Sequence, residues 1–133
     1  MFLLSSSFFM MELLMPFGGI AQEEHPMHMQ HRHPEYSTMP NPIARSAKSV
    51  LQGKKLYEKH CRACHGEAGK GGIGPDLTDN VWKHGNADGE VFLIITDGVR
   101  GTAMKGFKNE LSDEMRWHLV NFIAGLRKNA VIP

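Results

Sequence analysis

Apolar residues crowd the first 21 positions, almost vanish over the next stretch, and then return with helical spacing. The opening run holds Phe2, Leu3, Leu4, Phe8, Phe9, Leu13, Leu14 and Phe17 and closes on Gly19-Ile20-Ala21, a small-x-small cleavage pattern. Residues 1–21 therefore read as a signal peptide, although no Lys or Arg precedes the run and Glu12 interrupts it. The alternative is an uncleaved anchor, but a spanning helix needs about 20 consecutive apolar residues, and Ser5-Ser6-Ser7 and Gly18-Gly19 break the run. Residues 22–45 are rich in His, Met, Pro and Glu with almost no aliphatic side chains, which reads as a flexible linker because little apolar surface is available to offset the entropy of ordering. The folded domain is expected over 46–133.

Within that domain, Ser49 is a candidate helix cap ahead of Val50, Leu51, Leu56 and Tyr57. Gly53 falls inside this helix, where glycine costs about 1 kcal/mol relative to alanine, so another element is expected to approach it closely. Gly66 to Pro75 holds five glycines and predicts a long loop lying on something other than protein core. Val91-Phe92-Leu93-Ile94-Ile95 has strand propensity, yet Asn86 or Asp88 can cap ahead of it and Gly98 can end it, so a short helix is predicted. The last helix is capped by Ser112, starts with Asp113 and Glu114, carries Leu119, Phe122, Ile123 and Leu126 on one face, and ends near Arg127 and Lys128. No repeat is visible, and the pattern as a whole is all-α.

Composition narrows the function classes. The apolar share of 41% suits one packed domain, and a net charge of +1 with both signs scattered offers no basic stripe for a nucleic acid. The two cysteines cannot build a multi-bridge framework or complete a four-ligand zinc site. They stand in Cys61-Arg62-Ala63-Cys64-His65, the spacing of haem c attachment, in which two thiols add to the porphyrin vinyl groups and the adjacent imidazole reaches the iron. A thioredoxin-like pair would need a βαβ setting that the pattern lacks, and half a zinc site would need further cysteines.

From Ser49 to Leu126 the chain resembles the class I, mono-haem bacterial cytochromes c: Gly53 with Tyr57 is similar to the family's first helix and Leu119 with Phe122 to its last. The resemblance implies a small fold of helices and loops wrapped round one covalent haem c. Gly74-Pro75-Asp76-Leu77 matches the segment that lies over the His65 side, implying that the Pro75 carbonyl accepts the imidazole N–H. Gly101-Thr102-Ala103-Met104 matches the distal loop, implying Met104 as the sixth iron ligand. Of nine methionines only Met104 and Met115 lie in the domain beyond the motif, and Met115 falls in a helical first turn. Thr102, Arg100 and Trp82 resemble groups that meet the haem propionates, a solvated arginine and a core tryptophan being equally good readings. His60, His84 and His118 compete weakly as ligands and read as surface or helix-face histidines.

The resemblance further implies an electron carrier, not an enzyme, exported to the periplasm. A dehydrogenase or quinol-oxidising complex would be its donor and an oxidase or reductase its acceptor, with membrane contact only through those partners or an uncleaved N-terminus. The alternatives are a dedicated cytochrome subunit of one such complex, or a copper-binding module fused to a cytochrome. Lys48, Lys54, Lys55, Lys59, Lys105 and Lys108 lean towards the free carrier. The copper reading rests on His25, Met27, His28, Met29, His31 and His33, whose thioethers and imidazoles suit copper, against the simpler reading of a polar linker.

Overall fold

The structure, a computed structural model, describes residues 34–127. These form five helices: α1 (Pro34–Ser37), α2 (Ala47–His60), α3 (Arg62–His65), α4 (Asp88–Asp97) and α5 (Asp113–Leu126), with no strand among the described residues. The expected all-α class is what is found. No helix among the described residues is long and apolar enough to cross a membrane. The signal peptide expected over 1–21 and the cluster His25, Met27, His28, Met29, His31 and His33 lie outside the described residues.

Ser46, not Ser49, caps α2. Its backbone is extended and its hydroxyl oxygen accepts the Ser49 N–H at 3.2 Å, whereas Ser49 already lies inside the helix and is buried. Its place one turn in is explained by what it faces: the Ser49 hydroxyl lies 2.8 Å from Nδ1 of His118 and accepts the Asn121 amide at 2.7 Å. At α4 neither Asn86 nor Asp88 is the cap. Ala87 holds that position, and the Glu90 carboxylate folds back to accept its N–H at 3.0 Å. Asp88 is drawn away because its carboxylate binds Arg45 at 2.9 and 3.0 Å. The end of α4 at Gly98 and the Ser112 cap of α5, whose hydroxyl accepts the Met115 N–H at 3.3 Å, are as expected.

The α2–α5 crossing organises the core. A Cβ on Gly53 would collide with the His118 carbonyl oxygen and stand 2.7 Å from Phe122 Cβ, so only glycine lets the two backbones approach this closely. One turn on, Tyr57 is completely buried, with its ring 5.1 Å from that of Phe122 and its hydroxyl donating to Gly66 O at 2.8 Å. Helix α4 closes the other side of α5 through Phe92 stacked on Trp117 at 4.1 Å.

The linker reading of 22–45 does not hold for its second half. Residues 34–45 lie against the domain: Met39 packs on the core beside Gly89, Asn41 donates to Asn121 Oδ1 at 2.8 Å, and Arg45 pairs with Asp88. Aliphatic content underestimated this segment because it is held mainly by hydrogen bonds.

Gly53→Ala is expected to destabilise the holoprotein by on the order of 3 kcal/mol through overpacking at the crossing, read as a lower denaturation midpoint with an unchanged slope. Tyr57→Phe tests the buried hydroxyl. Burial, with Cys61 adding, pushes the Tyr57 pKa up to about 12 from 10.0, against a weaker opposing pull from the Gly69 backbone. The folded state therefore keeps a proton that the unfolded chain sheds, and this contribution is intact below pH 10 and lost as pH rises towards 12. Urea titrations from pH 7 upward should show Tyr57→Phe about 1 kcal/mol less stable at neutral pH, with the deficit shrinking above pH 10.

Candidate functional site

Helix α2 does not stop cleanly before the cysteine motif; it turns through Cys61 directly into α3. Cys61 N–H bonds Tyr57 O at 2.8 Å, ending α2, while Cys61 O accepts from Cys64 at 3.1 Å and from His65 at 2.9 Å. The motif is thus one tight turn carried on the end of the helix that Gly53 locks to α5. The two cysteines are not bonded to each other, and they face different surroundings. Cys61 is buried in the core, and that burial, reinforced by Cys64, pushes its pKa up to about 12; Cys64 is exposed.

His65 is buried and its orientation is determined from outside the turn. Nδ1 lies 3.0 Å from the Pro75 carbonyl oxygen, which can only accept, so Nδ1 is the donor and Nε2 is the nitrogen left to face a metal. Gly74 lies against the ring: a Cβ there would stand 2.8 Å from Cε1 and 3.2 Å from Nε2 of His65. The intervening glycine loop is laced to the motif by Gly71 N–H to His65 O and Gly74 N–H to Cys64 O, both 2.8 Å, and by Leu77 N–H to Gly69 O at 2.6 Å. Gly66 begins this loop with φ +81°, a conformation that most side chains resist, and so ends α3 immediately after the histidine.

Met104 sits half-buried against the same core that takes in Cys61 and Leu77. Its loop is pinned to the end of α4: Val99 N–H bonds Met104 O at 2.9 Å, and Phe107 N–H bonds Ile95 O at 2.9 Å. The three residues expected at propionates fare differently. Trp82 Nε1–H donates to Asp79 O at 3.0 Å, and the Thr102 hydroxyl donates to Val99 O at 2.8 Å, so both donors are used within their own turns. Arg100 is exposed, and it is the one of the three whose donors are not spent on a described neighbour. His118 is held by Ser49, with Glu114 at 3.7 Å, and His60 stands edge-on to Phe107 at 5.7 Å; both are helix-face histidines, as expected. His84 is half-buried in the loop before α4.

Two contributors escaped the sequence reading. The Tyr57 hydroxyl ties the core helix to the loop at Gly66, and Asp76 Oδ1 accepts both the N–H and the O–H of Thr78, at 2.6 and 2.7 Å. The second was available as a signal, since Asp followed two residues on by Thr is the spacing of a side-chain-closed turn.

The residues present fit haem c. Two thiols lie three residues apart in one turn, the next imidazole uses Nδ1 on the Pro75 carbonyl and so has Nε2 left for a metal, and a thioether packs on the same core. Among the described residues no group of three or more His, Cys, Asp or Glu side chains gathers as it would for a bare metal ion.

Known proteins agree. The family model described as cytochrome c oxidase, cbb3-type, subunit III matches residues 48–123. The cbb3-type cytochrome c oxidase subunit FixP of Bradyrhizobium diazoefficiens is 33% identical over 60 residues, covering 43% of this chain and 21% of that subunit. The chain thus spans about a fifth of the length of the curated subunits it matches. Among solved structures, a chain of the reducing HAO-like protein complex of Kuenenia stuttgartiensis aligns with a TM-score of 0.60 at 30% identity, over 67% of this chain and 49% of that one. Cytochrome cL of Methylophaga aminisulfidivorans shares the fold, with a TM-score of 0.57 at 22% identity over 69% of this chain and 57% of that one. Because the family match runs from the first turn of α2 into the last turn of α5, the chain belongs to the family of cytochrome c oxidase, cbb3-type, subunit III, and is an electron-transferring c-type cytochrome domain whose cofactor is covalent haem c.

Proposed function

We propose that Cys61 and Cys64 hold one haem c by thioether bonds, with His65 and Met104 on the two sides of its iron, and that the chain passes single electrons between redox proteins in the periplasm. The observation that carries this reading is the 3.0 Å bond between His65 Nδ1 and the Pro75 carbonyl, which orients the ring and leaves Nε2 as the nitrogen available to iron. When bound, the haem supplies a one-electron iron couple. The chain's own part is to keep the ligands in place. Pro75 raises the basicity of His65, the hydrogen bonds to the end of α4 hold the Met104 loop, and the buried Cys61 fastens the group from the core side. With His65 and Met104 both holding the iron, no position would remain for a substrate, and the bound haem would supply electron transfer alone. Arg100 is the residue suited to a propionate.

The donor in this reading is a dehydrogenase or quinol-oxidising complex and the acceptor an oxidase or reductase. A second reading, a cytochrome built into one complex, is favoured by a specific observation: the matched family and FixP are both described as oxidase subunits. The lysines argue less strongly for a free carrier than their number suggests. Lys54, Lys105 and Lys108 are engaged with Glu58, Glu110 and Asp97 at 3.9, 2.6 and 3.5 Å, which lessens their availability to an acidic partner. Size-exclusion chromatography of native periplasmic and membrane extracts, followed by haem staining, separates the readings: a carrier elutes at monomer size, a subunit with its complex.

The haem is expected to stay on the polypeptide through acid-acetone extraction and denaturing electrophoresis, and to be lost in the Cys61→Ala, Cys64→Ala double variant. A colourless parent band would refute the attachment. Met104→Ala should retain haem, lower the reduction potential and admit carbon monoxide to the reduced protein. The parent should show the charge-transfer band of methionine-ligated ferric haem, and its absence would exclude Met104.

A further inference from the structure

We propose that Asp76 and Thr78 form a clamp that sets the strength of the His65 to Pro75 hydrogen bond, and through it how strongly the imidazole donates to iron; this rests on His65 being an iron ligand. The Pro75 carbonyl belongs to the peptide plane joining Pro75 to Asp76. The proline ring fixes φ of Pro75, but the plane turns about Pro75 ψ and Asp76 φ, which the ring does not fix. Upstream the chain is tied by Gly74 N–H to Cys64 O at 2.8 Å, and downstream by Leu77 N–H to Gly69 O at 2.6 Å. Between these ties, Asp76 is the residue whose backbone rotation would turn the carbonyl away from His65.

Its side chain opposes that rotation. Asp76 Oδ1 takes the Thr78 N–H at 2.6 Å and the Thr78 hydroxyl at 2.7 Å, two bonds to one oxygen that close a turn over Leu77. The far end of the clamp is packed into the protein, because Thr78 and Leu77 are both buried. On the near side only a glycine fits at 71 without crowding this plane, since a Cβ there would stand 3.1 Å from the Asp76 nitrogen. A firm Nδ1–H to carbonyl bond shifts the ring towards imidazolate character, which strengthens donation and favours the oxidised metal. Loosening the clamp should therefore weaken that bond and raise the potential. Asp76 and Thr78 are positioning residues, acting through Pro75 and His65.

Three variants of the full-length holoprotein separate position from charge. Asp76→Asn keeps an oxygen acceptor and removes the charge, Thr78→Val keeps the charge and removes the hydroxyl, and Asp76→Ala removes charge and acceptor together. The deciding readout is solvent exchange of the His65 Nδ1 proton in the reduced protein by nuclear magnetic resonance, with the reduction potential measured beside it. Exchange should be about tenfold faster in Asp76→Ala, several-fold faster in Thr78→Val and within about twofold of the parent in Asp76→Asn. The potential should rise most in Asp76→Ala. Asp76→Asn matching Asp76→Ala in exchange would make the charge responsible and overturn the clamp, as would unchanged exchange in both Thr78→Val and Asp76→Ala. Where Asp76→Ala yields no holoprotein, the two near-isosteric variants decide: faster exchange in Thr78→Val than in Asp76→Asn supports the clamp, and equality or the reverse order overturns it. The parent is the control for the reading beneath. A His65 ring without the large shifts of an iron-bound imidazole would overturn the ligand assignment, whereas a normal parent with insensitive variants overturns the clamp alone.

Discussion

The contact on which the rest of the structure depends is the backbone approach of α2 to α5 at Gly53, where the space a side chain would need is filled by the carbonyl of His118. Close crossing brings Tyr57 and Phe122 into ring contact and aims the tyrosine hydroxyl past the helix end to Gly66. The cysteine motif hangs from that end, so its position relative to the core is inherited from the crossing. A larger residue at 53 would push α2 outwards and carry Cys61, Cys64 and His65 with it. Glycine's helix penalty of about 1 kcal/mol is thus smaller than the overpacking it avoids.

Beside this apolar crossing runs a polar seam. Asn121 is completely buried yet fully used: its amide donates to Ser49 at 2.7 Å and to Ile43 O at 3.3 Å, while its oxygen accepts from Asn41 at 2.8 Å. The Ser49 hydroxyl, which accepts from Asn121, also lies 2.8 Å from His118 Nδ1 and so joins the two α5 side chains. Buried polar groups are costly unless paired, so each member of the seam holds the others, and the segment 41–45 is bound to α2, α4 and α5 through it. The seam is incomplete at one atom. Arg45 Nε is buried with no partner among the described residues, although the same guanidinium grips Asp88 with Nη2.

What the sequence disclosed and what it withheld divide along the range of the interactions. The attachment motif, the loop glycines, the Gly98 stop and the Ser112 cap are local, each written within a few residues, and the structure has them where the pattern puts them. The Gly53 crossing was legible because a glycine inside a helix needs a reason. Ser46 and Ser49 could not be ranked as caps from spacing, since the choice turns on Asn121 and His118, about 70 positions away. The segment 34–45 looked like linker because composition counts aliphatic groups and not hydrogen-bond partners. The bonds of Trp82 to the Asp79 carbonyl and of Thr102 to the Val99 carbonyl are local too, yet side-chain type alone does not announce them.

The proposed iron ligands come from separate parts of the chain, and this makes α5 the member that determines their spacing. His65 is delivered by α2 and α3, which are referenced to α5 through Gly53 and Tyr57. Met104 is delivered by the loop pinned to the end of α4, and α4 is referenced to α5 through Phe92 on Trp117. Arg116 of α5 strengthens the second link: it is buried, lies over the Phe92 ring at 4.9 Å, donates to Thr96 Oγ1 at 2.6 Å and is paired with Asp113. Neither ligand-bearing segment needs to touch the other for the gap between them to be defined. A helix with a small-residue crossing on one face and a stacked aromatic on another acts as a spacer, which suits electron transfer because a metal whose ligands stay at constant separation changes charge with little movement of its surroundings.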